Sequence, residues 1–345
     1  MKIKDDSFFK TVRDYLTIYL PRQRRLRPNT ITSYKSALNQ FIDFLSQECG
    51  MPIAKITFEH FTADNVNAYL DWLQEKRKCS PSTRNQRLMA LRSFANYCAM
   101  SDISNVYLSI DIDDVPIQKV PGKVVDYLTE DAMKDLLSLP NMKNHWGLRN
   151  GFFMILMYDT AARCQEMIDI KVGDFVLDQG APYVYLTGKG EKPRTVPIME
   201  KTVEHLRRYL NYFHSADTRC NEDSLFYTVI HNQRHPMSPD TVAYFIRNYG
   251  REARKKNPNV PAKVRPHQFR HTRAIHLYRS GVPLSLLAEY LGHAQMSTTK
   301  IYAYADTEMK SKALQKANPN MGGADQESPI WENDADMIKR LYCLK

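Results

Sequence analysis

The sequence predicts a mainly α protein with a small antiparallel β-sheet, arranged as two domains. Three observations carry that prediction. Apolar residues recur at helical spacing through residues 7–100 and again beyond Pro266. One pair of β-like runs, Tyr183–Thr187 and Thr195–Ile198, flanks the turn Gly188-Lys189-Gly190-Glu191-Lys192-Pro193 and reads as a hairpin. Helical periodicity weakens over residues 101–127, where Pro116, Pro121 and Gly122 punctuate the chain. At ~150 residues per domain, 345 residues make about two domains.

The elements follow in order. Asn29-Thr30 is the expected cap of a helix whose apolar face is Tyr34, Leu38, Phe41, Ile42 and Leu45. Thr62-Ala63-Asp64 opens a helix through Val66, Tyr69, Leu70 and Leu73. Ser80-Pro81-Ser82 starts another, with Leu88, Leu91, Phe94 and Ala95 inward. Arg84, Arg87 and Arg92 fall among its polar positions. With the upstream cluster Arg22, Arg24, Arg25 and Arg27 they are candidate contacts to a phosphate backbone. Solvated surface charge is the plainer reading. Thr129-Glu130-Asp131 caps the first helix of the second domain. The expected boundaries are a helical domain at 1–114, a linker at 115–125, a second domain at 126–318 and a tail at 319–345.

Charge points to a polyanion partner. There are 48 Lys and Arg against 38 Asp and Glu, a net charge of +10. Residues 1–120 hold 17 basic and 13 acidic groups, and residues 121–318 hold 28 and 20. The tail, with 3 and 5, is acidic. The longest apolar run, Phe152–Tyr158, is far short of the ~20 residues a membrane span needs. No signal-peptide pattern opens the chain. No two of the six cysteines lie within four residues of each other, which excludes a CxxC pair or a zinc knuckle and suits a reducing compartment.

Three separated segments carry chemistry. Thr160-Ala161-Ala162-Arg163-Cys164-Gln165-Glu166 follows an apolar helix. Pro266-His267-Gln268-Phe269-Arg270-His271 puts His267, Arg270 and His271 on one helical face. Leu291-Gly292-His293 precedes Tyr302 by nine residues, counted from the histidine. Each alone has a bland reading. Arg163 could be an ion pair with Glu166, Lys189 a solvated turn residue, and Tyr302 a packed aromatic. A zinc site at His267 and His271 is disfavoured by the missing glutamate of HExxH and by Arg270 between them.

Taken together, the order Arg…Lys…His-x-x-Arg…Leu-Gly-His…Tyr resembles the tyrosine recombinases, or phage integrases. The resemblance covers most of the chain. It implies an N-terminal helical core-binding domain and an α+β catalytic domain. It implies a site-specific DNA recombinase that cuts and rejoins DNA through a 3′-phosphotyrosyl intermediate, with strand exchange through a Holliday junction. Its catalytic residues map onto Arg163, Lys189, His267, Arg270, His293 and the nucleophile Tyr302, with Glu166 and His271 orienting them. Arg24, Arg25, Arg27, Arg84, Arg87 and Arg92 become the expected DNA contacts. Two departures stand out. The family's Thr-Gly-Leu-Arg reads Thr-Ala-Ala-Arg, and the position two after the tyrosine, often histidine, is Tyr304. Tyr304 is thus a rival nucleophile, as Lys192 is a rival for the role of Lys189.

The physics agrees with that assignment. Attack on a phosphodiester builds charge on oxygens that two planar guanidiniums can clamp. A tyrosine hydroxyl needs nearby positive charge or a base to attack at neutral pH. The departing oxygen needs a proton, which a hairpin lysine can supply; His267 is the expected proton acceptor and His293 a phosphate donor. Rejoining uses the energy of the phosphotyrosyl bond, so neither metal nor nucleotide cofactor is expected. The expected partners are double-stranded recombination sites, three further protomers and accessory proteins, with no membrane, in the cytoplasm on the nucleoid. Integration or excision of a mobile element is the expected role. A Xer-type housekeeping recombinase, a type IB topoisomerase and a non-cutting DNA-binding protein are the rivals. In the tail, Trp331, Ala335, Ile338 and Leu341 recur at helical spacing beyond Gly322-Gly323 and are expected to dock on a neighbouring protomer.

Overall fold

The computed structural model describes residues 6–121, 125–177, 180–188, 193–215, 220–293, 295–305 and 339. The chain divides into two units, Met1–Lys123 and Val124–Lys345. Lys189, Lys192 and the tail with Trp331 lie outside the described residues, as does the side chain of Tyr304.

The first unit is built from helices around an aromatic core. Helix α1 (Ser7–Asp14) runs into a π-helical stretch, Tyr15–Gln23. Then come α2 (Pro28–Gln47), α3 (Ala63–Glu75), α4 (Pro81–Ser101) and α5 (Val106–Asp113). Thr62 and Ser80 cap α3 and α4 through the backbone N–H groups of Asn65 and Thr83. Helix α2 starts earlier than its expected cap, because Pro28 takes the first helical position, where a missing N–H costs nothing. Phe8, Phe41, Phe61, Tyr69 and Phe94 are fully buried and meet largely edge to face, with centroids 5.4–5.9 Å apart.

Two sequence expectations change here. Residues 101–127 were expected to lack a helix, yet α5 lies within them. Its periodicity is masked because Tyr107 and Ile110 are exposed while only Leu108 and Ile112 are buried. The start of the expected linker also belongs to this unit: Val115 is buried in its core, and Pro116 and Gln118 are bonded to α4.

The arginines of α4 correct a second expectation. Arg84 is 4% exposed and donates to the carbonyl of Pro116 at 2.8 Å. Arg92 donates to the carbonyls of Ile112, Asp113 and Val115, the last at 2.6 Å. It therefore caps α5, where the helix leaves carbonyls without partners. Arg87 is half-buried and bonds to Ser33. These guanidiniums stitch the unit together. Arg22, Arg24, Arg25 and Arg27, by contrast, are exposed.

The second unit packs α6 (Glu130–Ser138), α7 (His145–Thr160), α8 (Cys164–Asp169), α9 (Glu200–Phe213), α10 (Pro239–Lys256), α11 (Pro266–Arg279), α12 (Leu284–Leu291) and α13 (Met296–Ala305). A three-stranded antiparallel sheet joins β1 (Phe175–Val176), β2 (Tyr183–Thr187) and β3 (Pro193–Pro197) in that order. Val184 pairs with Val196, and Leu186 with Arg194. A separate hairpin, β4 (Tyr227–Ile230) and β5 (Gln233–Pro236), turns at His231-Asn232, both at positive φ. Helix α7 is nearly all buried and forms the axis of the core. Among the described residues no helix is long and apolar enough to cross a membrane.

Arg92→Ala should remove the side-chain donor from the carbonyls of Asp113 and Val115, at and just past the end of α5. Hydrogen exchange of residues 106–113 should then quicken, equivalent to about 1–3 kcal/mol of lost local stability. The salt dependence of DNA binding should stay unchanged, and a shallower salt slope would return Arg92 to the phosphate contacts.

Candidate active site

The site begins where α7 ends. Ala161 terminates that helix at φ +50°, a left-handed conformation that usually calls for glycine. This is the position where the resemblance expects glycine. Alanine there costs about 1–2 kcal/mol, but its methyl is fully buried beside Ala274, Ile275, Leu287 and Leu291, which offsets about 1 kcal/mol. The reversal aims the Ala161 carbonyl at α11, where Arg270 donates to it at 2.9 Å.

Arg270 is the most enclosed charge of the site, at 1% exposure. Its second bond, 2.6 Å, goes to the carbonyl of Leu291 at the end of α12. Burial, with the like charge of Arg163, pulls its pKa down to about 10, so it stays cationic at neutral pH. Arg163 precedes α8, and its side chain is 36% exposed. Glu166 accepts from the Arg163 backbone N–H at 2.8 Å and from its Nη1 at 2.7 Å. The bland ion pair is therefore real. It leaves the rest of the Arg163 fork facing solvent.

Arg194 is the residue that sequence reading missed. From β3 it donates to both oxygens of Glu166, at 3.0 and 2.8 Å. The signal was available in the strand alternation. Arg194 is in phase with Val196, whose side chain is buried, so it points inward. Burial pushes the Glu166 carboxyl up, but Arg194 and then Arg163 outweigh it and hold the pKa at about 2.

Tyr302, on α13, is 1% exposed and packs on Ala161, Ala274, Ile275, Leu287 and Leu291. Its hydroxyl lies 3.0 Å from Nδ1 of His271. The sequence expectation gave the nearest imidazole to His267. The two rings sit edge to face, 4.3 Å apart, one helical turn from each other. Spacing alone does not tell which of them meets the tyrosine. His267 is exposed at the start of α11. His293 follows Gly292, and its Nδ1 lies 2.8 Å from the hydroxyl of buried Thr299. Burial raises the Tyr302 pKa, while Arg270 and then Arg163 pull it down. The same burial, reinforced by neighbouring positive groups, lowers His271 and His293 to about 4 each. At neutral pH the site thus holds three guanidiniums, one carboxylate and neutral imidazoles. That arrangement can bind a phosphate, stabilise charge growing on it and take up a phenolic proton.

Two family models match the chain. The phage integrase family covers residues 126–309, and the phage integrase N-terminal SAM-like domain covers 8–104. The chain belongs to the phage integrase family, the tyrosine recombinases. An integrase/recombinase of Sinorhizobium fredii, y4rC, is 28% identical over 90% of this chain and 91% of its own length. The tyrosine recombinase XerC of Chlamydia pneumoniae is 24% identical over 88% of this chain and 96% of its own. In fold, the chain is similar to the Tn1549 transposon integrase bound to transposon right end DNA, with a TM-score of 0.63 at 16% identity over 89% of this chain and 98% of that one. This tyrosine recombinase is therefore a site-specific DNA-recombining enzyme with a mainly α fold.

The histidines make the free recombinase acid-sensitive. A histidine whose folded pKa lies below its unfolded value near 6.5 adds stability above that value, and loses it as pH falls toward the folded pKa. For His271 and His293 the window runs from about 6.5 down to about 4. His271→Asn should therefore narrow the drop in Tm between pH 7 and pH 5. An unchanged drop would mean that His271 is not the neutral partner of Tyr302.

Proposed function

We propose that Tyr302 is the nucleophile and attacks the scissile phosphate within its own protomer. The observation that carries this is the buried Tyr302 hydroxyl, 3.0 Å from His271 and drawn toward ionisation by Arg270 and Arg163 of the same chain. Its oxygen forms a bond to phosphorus as the bond to the 5′-oxygen breaks. The phenolic proton passes to neutral His271. Arg163 and Arg270 hold the equatorial oxygens, where developing charge gains most from preorganised donors. His267 and His293 donate to the same phosphate. Lys189, between β2 and β3, gives the 5′-oxygen its proton. The product is a 3′-phosphotyrosyl link and a free 5′-hydroxyl. Attack by that kind of hydroxyl from a second duplex reverses the step and exchanges strands.

Strand exchange then runs through a Holliday junction held by four protomers on two DNA sites, on the nucleoid. Integration or excision of a mobile element is the favoured role, supported by the likeness to an integrase/recombinase over nine-tenths of both chains. The likeness to XerC, over a similar share, keeps a housekeeping role as the second reading. Element ends flanking the gene favour the first, and a chromosomal resolution site recombined by the purified enzyme favours the second.

Tyr302→Phe should abolish covalent attachment to a nicked suicide duplex while leaving DNA affinity nearly intact. Continued attachment by Tyr302→Phe, with loss in Tyr304→Phe, would move the nucleophile by two residues. Lys189→Ala should cleave slowly on ordinary DNA and recover on a 5′-phosphorothiolate substrate, whose sulfur leaves without a proton. Recovery by Lys192→Ala instead would reassign the acid.

A further inference from the structure

We infer that Arg194 is a positioning residue for cleavage: it fixes Glu166 and the Leu291-Gly292-His293 turn together, and so sets where Arg163 and His293 meet the phosphate. The inference rests on the phosphate-clamp reading above and deepens it. Arg194 touches three segments of the site at once. Its two terminal nitrogens hold both oxygens of Glu166, at 3.0 and 2.8 Å, a paired geometry that fixes the carboxylate in plane and in rotation. That carboxylate in turn anchors the Arg163 backbone and guanidinium. The Nε of Arg194 donates to the Tyr290 carbonyl at 3.2 Å. Arg270 takes the next carbonyl, that of Leu291. Two guanidiniums therefore close the negative end of α12, from which the chain turns to His293.

Gly292 shows how tight this contact is. Its φ is +63°, and a Cβ there would lie 2.8 Å from Cδ of Arg194. The Leu-Gly-His turn needs glycine both for its backbone and to admit the Arg194 stem. Arg194 also sits on the return strand of the hairpin, paired with Leu186, so β3 and the arginine clamp are joined through one side chain. The charged and titratable groups around Glu166 are Arg163 on its own turn, Arg194 from β3 and Arg270 from α11, with His267 and His293 beyond them. Of these, Arg194 and Arg163 bond it, and Arg194 is the stronger restraint on its ionisation.

The test is single-turnover cleavage of suicide DNA by the full chain across pH 4.5–8.5. Arg194→Met should lower the rate at pH 7 by about 100-fold, the scale of a 1 Å misplacement. It should also shift the acid limb toward higher pH, because Glu166 then takes up a proton more readily. Arg194→Lys keeps the charge but not the paired bonds, so it guards against a Met variant that fails to fold. It should lose about tenfold, with the limb moved in the same direction. In a Glu166→Gln background, Arg194→Met should cost less than about threefold further, because the restrained group is already gone. A merely structural Arg194 would lower Tm without moving the limb and would cost as much in the Gln background; either result overturns the inference. Arg163→Lys separates the two readings. A wild-type rate there removes the clamp and the inference with it. A 100-fold loss there beside a near-wild-type Arg194→Met removes the inference alone.

Discussion

Like charges held close together set the terms for this site. Arg163, Arg194 and Arg270 lie close together, and the first two make Arg270 more costly to bury as a cation. Glu166 is the buried carboxylate among them, bonded to two of the three. Arg270 has no carboxylate and leans instead on two backbone carbonyls, which belong to helix ends and carry partial negative charge. The cluster therefore keeps surplus positive charge around a single bonded carboxylate, and the proposed phosphate clamp would draw on that surplus.

Burial and positive neighbours together explain the histidines. Burial resists a proton first, and His267 with Arg270 beside His271, or the three guanidiniums beside His293, add to that resistance. A neutral His271 can accept from Tyr302; a protonated one could only donate. The fold thus suppresses one kind of charge and keeps a neutral imidazole beside the Tyr302 hydroxyl. The backbone serves the same end. Ala161 bears a left-handed conformation so that its carbonyl reaches Arg270, and Gly292 bears another so that the stem of Arg194 fits. Both reversals lie at helix ends, where a chain changes direction at least cost.

Much of this was legible in the sequence, for reasons that differ by residue. The arginine, histidine and tyrosine motifs stood out because their order resembles that of the tyrosine recombinases, and local helical spacing already puts His267, Arg270 and His271 on one face. Ser80 and Thr129 stood out because cap residues act within three positions of themselves. Arg194 did not, although its alternation with Val196 placed it inward, because an arginine in a short strand between lysines reads as surface charge. The choice between His267 and His271 was hidden too, since it depends on where α13 delivers Tyr302. Helix α5 was obscured by its exposed Tyr107 and Ile110, which break the amphipathic pattern.

The α4 arginines carry the last lesson. Arg84 and Arg92 sat at polar positions of a helix in a basic protein, which made phosphate contact a fair reading. What sequence could not give was the path of the chain after α5. Once that chain folds back along α4, it presents carbonyls at Ile112, Asp113, Val115 and Pro116 that need donors away from bulk water. A long cationic fork spreads its donors over several such acceptors at once, in a fixed geometry that a compact ammonium lacks. Charge that looked available for DNA is thereby committed to joining the last helix of the unit to its longest. Arg22, Arg24, Arg25 and Arg27 stay exposed around the break between the π-helical stretch and α2. Pro21 sits inside the π-helical stretch, the chain leaves it at Arg24, and Pro28 restarts the helix four residues on. Proline at both edges stiffens that short crossing. Arg24 donates to the Tyr19 hydroxyl at 3.4 Å, which ties that guanidinium back to the π-helical stretch.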